Sequence, residues 1–297
     1  MTVVLPRDYH ARDALKRREI PWKTHEDALR EDIRALRIGI LNIMPQAQTY
    51  EFNLLQPLGY SVIQIEPIWI RLTTHAYQST SRDHLDNLYV SFKDSIEQAH
   101  LDGLIITGAP VEEIPFEEIS YWQEVLRILK YARNNVASTL GLCWAGIAIA
   151  KFLGLESERY EKKLFGVYPT RNLDPNHPVM SGMDDVFWCP QSRHSGISDA
   201  EIERGRDSGI INPLAFAEGA GYTIFETTDR RFLVHLGHPE YHSRRIREEY
   251  ERDISRGRED VAPPLNFNLD SPVNRWRSHR YEFYAEWIKY VHETTSY

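Results

Sequence analysis

The chain predicts an α/β fold: an open, mostly parallel sheet flanked by helices, followed by a C-terminal section of antiparallel strands and helices. Two observations carry this reading. In the first half, apolar runs of strand length alternate with segments of helical period. In the second half, short apolar runs are separated by turn residues. The 297 residues are 42% hydrophobic, enough to bury a large core.

Residues 1–34 are charged and irregular, broken by Pro6 and Pro21, and read as an N-terminal extension ahead of a packed domain at 35–297. Within that domain, 36–43 (LRIGILNI) is an apolar strand and 50–58 has helical period. The runs 61–68 (SVIQIEPI) and 101–108 (LDGLIITG) are further strands. Residues 121–135 place Trp122, Val125, Leu126, Ile128 and Leu129 on one helical face, 137–142 is the next buried strand, and a helix from Cys143 is closed by Gly154. Beyond it, 213–219, 221–228 and 231–237 predict an antiparallel meander. Helices are expected at 241–254 and 276–292, with a Pro- and Asn-rich loop at 261–274 between them. That loop is a candidate cover for a site. No internal repeat is present.

Composition narrows the function. Lys plus Arg total 35 against 43 Asp plus Glu, a net charge of −8 that does not attract phosphate backbones, so nucleic acid is not an expected partner. The two cysteines, Cys143 and Cys189, rule out a disulfide framework and fit a reducing compartment. No stretch reaches the ~18 apolar residues of a membrane span and the N-terminus lacks an apolar signal core, so a cytoplasmic protein is expected. There is no P-loop and no GxGxxG turn.

Two constellations can carry chemistry. In Gly141-Leu-Cys143-Trp144-Ala-Gly146 a buried strand gives way to a helix at a cysteine, the setting of a nucleophile elbow. The helix N-terminus favours the thiolate, and its free N–H groups can hold an oxyanion. Alone, such a cysteine is more often a small buried hydrophobe. The second constellation, His235-Leu-Gly-His238-Pro-Glu240-Tyr241, ends an apolar strand and opens a helix. His238 can move a proton near neutral pH, and Glu240 can fix its tautomer. Each has a structural reading by itself, as a core histidine and a helix-start carboxylate. Together with the cysteine they form a triad by role. A zinc site of His235, His238 and His242 is opposed by Pro239, so no metal is expected.

The pairing of Gly-x-Cys with His-Pro-Glu resembles the class I glutamine amidotransferase-like superfamily. Within it the chain resembles the homoserine O-acyltransferase (homoserine transsuccinylase) family from about Leu36 to the C-terminus. The marks are Asn42-Ile-Met-Pro45, Thr107-Gly-Ala-Pro110, Cys143-Trp144, Lys163-Leu-Phe-Gly-Val-Tyr168, Pro190-Gln-Ser-Arg193, Gly237-His-Pro-Glu-Tyr241 and Trp276-Arg-Ser-His279. The resemblance implies an enzyme of methionine biosynthesis that acylates the hydroxyl of homoserine from an acyl-CoA substrate, with no resident cofactor. It implies a homodimer, with Cys143 as acyl carrier, His238 as general base and Glu240 as its orienter. The N–H of Trp144 is the expected oxyanion donor, and Lys163, Ser192, Arg193 and Arg252 match substrate-binding positions. A glutamate after Gly-Ala-Pro, here Glu112, goes with acetyl rather than succinyl transfer, so acetyl-CoA is the expected donor. The chain departs from the family pattern at Gln46-Ala47 (usually lysine), Ile147 (usually Gln) and Gln191 (often His). Serine as acceptor, succinyl-CoA as donor, a glutaminase-type hydrolase and a catalytically silent relative stay open as alternatives.

Overall fold

The structure, a computed structural model, describes residues 3–30 and 34–295. Its strands are β1 (Val3–Leu5), β2 (Trp22–Thr24), β3 (Leu36–Leu41), β4 (Ile65–Arg71), β5 (Val90–Ser91), β6 (Gly103–Ile106), β7 (Ser138–Leu142), β8 (Glu158–Asn172), β9 (Val186–Gly196), β10 (Ile211–Ala217), β11 (Gly221–Thr227) and β12 (Phe232–His235). The helices are α1 (Arg12–Arg17), α2 (His25–Leu29), α3 (Ala47–Leu58), α4 (Arg82–Leu88), α5 (Phe92–Gln98), α6 (Trp122–Asn135), α7 (Trp144–Phe152), α8 (Asp199–Asp207), α9 (Ser243–Ser255) and α10 (Arg277–Thr294).

All twelve strands join one sheet in the order β2-β1-β4-β3-β6-β7-β12-β11-β10-β8-β9, with β5 also on β4. Pairing is parallel from β2 across to β12 and antiparallel from β12 to β9. This is the open, mostly parallel sheet with an antiparallel section that the sequence predicts. The parallel strands are apolar on both faces because helices cover both. Ile38, Ile40 and Ile105 pack with Leu54, Leu55 and Trp287 of α3 and α10. Leu41, Leu104 and Ile106 pack on the other face with α6 and α7. Helix α7 lies buried from Trp144 to Ala150, which is why it is apolar on every side.

Three expectations change. The segment Val3–Arg30 is not an appendage: β1 and β2 extend the sheet beyond β4, and Val3, Leu5 and Leu15 lie in the main core. Glu31–Ile33 lie outside the described residues. The run Val3–Leu5 is too short to show a period, and the charges around it belong to the exposed face of α1. Second, β8 and β9 form a long hairpin where no strands were expected. Gly166, Pro169 and Pro190 sit inside it and read as breakers, but this hairpin ends the sheet, where proline is tolerated. Third, no residue of loop 261–274 lines the cleft at the carboxyl ends of the parallel strands. It is bonded along β8, with the Leu265 N–H on the Phe165 carbonyl (3.0 Å) and the Val167 N–H on the Leu265 carbonyl (2.9 Å).

The new boundary is testable at Leu15, fully buried on α1. Leu15→Ala is expected to destabilise the whole protein by about 2–5 kcal/mol in urea unfolding. A change within error would mean that the segment is a detachable arm.

Candidate active site

The reactive groups gather at the carboxyl ends of the parallel strands, where open α/β sheets place their ligand sites. Met44 follows β3, Gly108 follows β6, Cys143 follows β7 and His238 follows β12, and all four line one cleft of about 570 Å³.

The elbow is built from backbone. Cys143 has φ 49° and ψ −115°, a conformation rare for a residue with a Cβ. It is held there by its N–H on the His235 carbonyl (2.9 Å) and by its own carbonyl accepting from the Gly146 N–H (2.9 Å). Two glycines make the turn possible by contact. A Cβ on Gly141 would sit 2.5 Å from Ile149 Cδ1, and one on Gly146 would sit 2.5 Å from Val234 Cγ1. Trp144 buries its ring against Phe116 and Tyr121, leaving its backbone N–H, in the first turn of α7, as the group it can offer.

Gly108 marks the meeting point of nucleophile and imidazole: a Cβ there would lie 3.4 Å from Cys143 Cβ and 3.8 Å from His238 Cε1. His238 Nδ1–H donates to Glu240 Oε1 at 2.7 Å, and its ring stacks on Tyr241 with centroids 4.1 Å apart. The same Glu240 oxygen accepts from the Tyr50 hydroxyl at 2.6 Å, a partner not anticipated from sequence. Burial opposes the His238 imidazolium, but the facing Cys143 and Glu240 outweigh it and hold the pKa well above the ordinary value. Burial, then the Glu112 carboxylate, push the Cys143 thiol up. Glu112 Oε1 accepts from Cys143 Sγ at 3.6 Å, while Oε2 accepts from the His194 N–H at 2.5 Å. Burial raises the Glu112 pKa in turn.

A second group of charges lines the cleft around Glu249 of α9. Glu249 accepts from Ser192 (2.6 Å) and Tyr241 (3.0 Å), with Arg245 at 3.5 Å and Arg252 at 3.7 Å. Lys163 Nζ lies 2.7 Å from Asp253 and 3.9 Å from Glu249. Burial works against the Glu249 carboxylate, yet Lys163 and Arg245 overcome it and bring its pKa down to about 2. Lys163, Ser192 and Arg252 thus converge, with Glu249 as the common partner that sequence reading missed in a charged helix.

Arg193 does not join them. Successive residues of a strand face opposite sides, so with Ser192 in the cleft Arg193 points behind β9, to Gln191 (3.2 Å), the Tyr160 hydroxyl (3.1 Å) and the Ala220 carbonyl (2.7 Å). It does not line the cleft that Lys163, Ser192 and Arg252 share. His235, His238 and His242 do not converge either: His235 Nε2 lies 3.8 Å from Cys189, and His242 caps α9. Two other groups have metal-ligand spacing, His10–Glu51–His84 and Glu113–His194–Asp260. In the first, Glu51 already accepts from Tyr9, Tyr89 and His84. In the second, the Arg258 guanidinium contacts all three residues. Of the family departures, Gln46 lines the cleft, Ile147 is buried in α7 and Gln191 lies under Gly237.

Chemically, the arrangement can generate a thiolate, move a proton through an oriented imidazole and hold an oxyanion at a helix N-terminus. The charge of Glu112 is the chief brake on the thiolate after burial itself. Glu112→Gln is expected to move the midpoint of Cys143 alkylation by iodoacetamide to lower pH. An unmoved midpoint would show that the carboxylate does not act on the thiol.

Comparison with known proteins agrees on family and fold. The chain is 37% identical to a homoserine O-acetyltransferase of Bacillus cytotoxicus, and 37% identical to one of Geobacillus kaustophilus, in each case over 100% of this chain and 99% of the relative. Among solved structures it is similar to a glutamine amidotransferase of Thermotoga maritima (TM-score 0.53, 13% identity, 87% of this chain and 99% of that one). It is also similar to the glutaminase domain of Trypanosoma brucei CTPS (TM-score 0.54, 9% identity, 89% and 96%). At those identities the likeness speaks for the fold alone. The family model for homoserine O-succinyltransferase matches residues 2–297, and the chain therefore belongs to the homoserine O-succinyltransferase family, on a glutamine amidotransferase-like fold.

Proposed function

We propose that the chain transfers an acetyl group from acetyl-CoA to the side-chain hydroxyl of L-homoserine through a thioester on Cys143, a step of methionine biosynthesis. The family name speaks of succinyl transfer and the names of the Bacillus and Geobacillus relatives of acetyl transfer. The observation that favours acetyl is Glu112, whose carboxylate stands 3.6 Å from the Cys143 sulfur, inside the cleft. An acyl group on that sulfur must fit beside it. Acetyl is short and neutral, whereas succinyl would bring a second carboxylate against the first.

In this reading the Cys143 thiolate attacks the thioester carbonyl carbon, and the Trp144 N–H supports the oxyanion. Collapse expels the CoA thiolate, which takes its proton from His238. The amino acid then binds with its carboxylate toward Arg252 and its ammonium toward Glu249 and Asp253. His238 removes the hydroxyl proton as the oxygen attacks the acetyl carbon, and the Cys143 thiolate leaves. Glu240, braced by Tyr50, keeps the imidazole aimed. Neither step consumes ATP. A homodimer and a cytoplasmic location belong to the same proposal.

Intact-mass spectrometry tests the core of it. Wild type mixed with acetyl-CoA is expected to gain one acetyl group that Cys143→Ala does not gain, and homoserine, rather than serine or glutamine, is expected to discharge it. No adduct, together with ammonia release from glutamine, would replace the reading with a glutaminase. Tyr50→Phe is expected to lower kcat on the order of tenfold with little change in KM, through loss of a hydrogen bond to a buried carboxylate. An unchanged kcat would show that Glu240 holds its place without Tyr50.

A further inference from the structure

Helix α9 presents one stripe to the cleft. Arg245, Glu249, Arg252 and Arg256 follow at helical spacing and all line it. From Arg245 to Arg256 the stripe climbs about 16 Å along the axis. In the inner part every cation is paired: Arg245 and Arg252 with Glu249 and Asp253, and Lys163 with Asp253. At the outer end, Arg256 is exposed, and its guanidinium has no ion pair or hydrogen bond among the described residues. Arg258, two residues on, also lines the cleft but is committed to Asp260 and Glu113. The facing wall at Met44, Pro45, Gln46 and Ser79 carries no charge.

An arginine at a helix C-terminus gains from the dipole wherever it stands. That explains why it is tolerated, but not why it faces an active-site cleft in a chain of net charge −8. The neighbouring hollow beyond Arg258 does not compete for an anion, because Arg159 and Arg258 there pair with Glu113 and Asp260, and Glu161 lines it as well. The uncommitted positive charge of this region is therefore on Arg256, at the solvent end of a stripe whose other end adjoins Tyr241 and His238.

We propose that Arg256 docks the phosphates of the acyl donor: the CoA diphosphate lies against its guanidinium, and the pantetheine arm runs inward along α9 to Cys143. A guanidinium suits this task because its fork of donors matches phosphate oxygens. The proposal rests on the acyl-CoA reading of the preceding subsection.

The test compares two donors, acetyl-CoA and S-acetyl-N-acetylcysteamine, which has the thioester and the near end of the arm but no phosphate. In Arg256→Gln, KM for acetyl-CoA is expected to rise about tenfold, the scale of one charge-assisted contact, while KM for the short donor moves less than twofold. Arg256→Lys is expected to recover part of the loss. Equal changes for both donors, or none for either, overturn the docking role while leaving acyl transfer standing. If wild-type Cys143 takes an acetyl group from neither donor, the acyl-transfer reading falls, and the subsite with it.

Discussion

The Cys143 N–H bonds to the His235 carbonyl at 2.9 Å, and the positions of the reactive groups follow from that register. It extends the parallel pairing of β7 and β12 by one step, so the elbow begins beside the strand that leads, three residues later, to His238. The His238 N–H in turn bonds to the Pro190 carbonyl at 2.9 Å, which brings β9 and Ser192 to the same mouth. The Lys163 N–H on the Asp260 carbonyl, also 2.9 Å, ties β8 to the chain beyond α9. These are backbone bonds, so the frame of the cleft does not depend on which side chains fill it. That is how one fold can serve enzymes named for glutamine chemistry and relatives named for acyl transfer.

Side chains then divide the cleft into two electrostatic halves. Around Glu249 there are more cations than carboxylates, and the buried acid stays charged despite its burial. Around Glu112 burial dominates, and the same kind of group is pushed the other way. Two glutamates in one cavity are thereby set to different protonation behaviour by their neighbours. The first half suits a zwitterionic amino acid, and the second works against the Cys143 thiolate.

Much of this was legible in the sequence for a specific reason. The central parallel strands are largely buried on both faces and read as mostly apolar runs, and the elbow and the His-Pro-Glu turn are short, local signals. What escaped was non-local or disguised. Tyr50 meets Glu240 across 190 positions, and Glu249 sits in a helix so charged that its buried face is hidden among acids and arginines. The side that Arg193 faces escapes the sequence because β9 does not read as a strand, and without the strand its alternation with Ser192 cannot be applied. Strands β1 and β2, the last two at that end of the sheet, have three residues each, below the length at which a period of two can be seen.

The strand order also governs how such a chain comes to be folded. β7 and β12 are neighbours in the sheet, yet about ninety residues separate them in sequence. Everything between must be made before the pairing forms. Until residues 232–235 arrive, the strand leading to the nucleophile, every residue of which is buried in the finished sheet, is an open edge, the kind of surface on which incomplete chains associate. The loop closure needed to cover it makes this a slow topology. During synthesis, therefore, the centre of the sheet is the last part of the parallel layer to close, and the chain's vulnerability to aggregation is concentrated at the edge that later carries its chemistry.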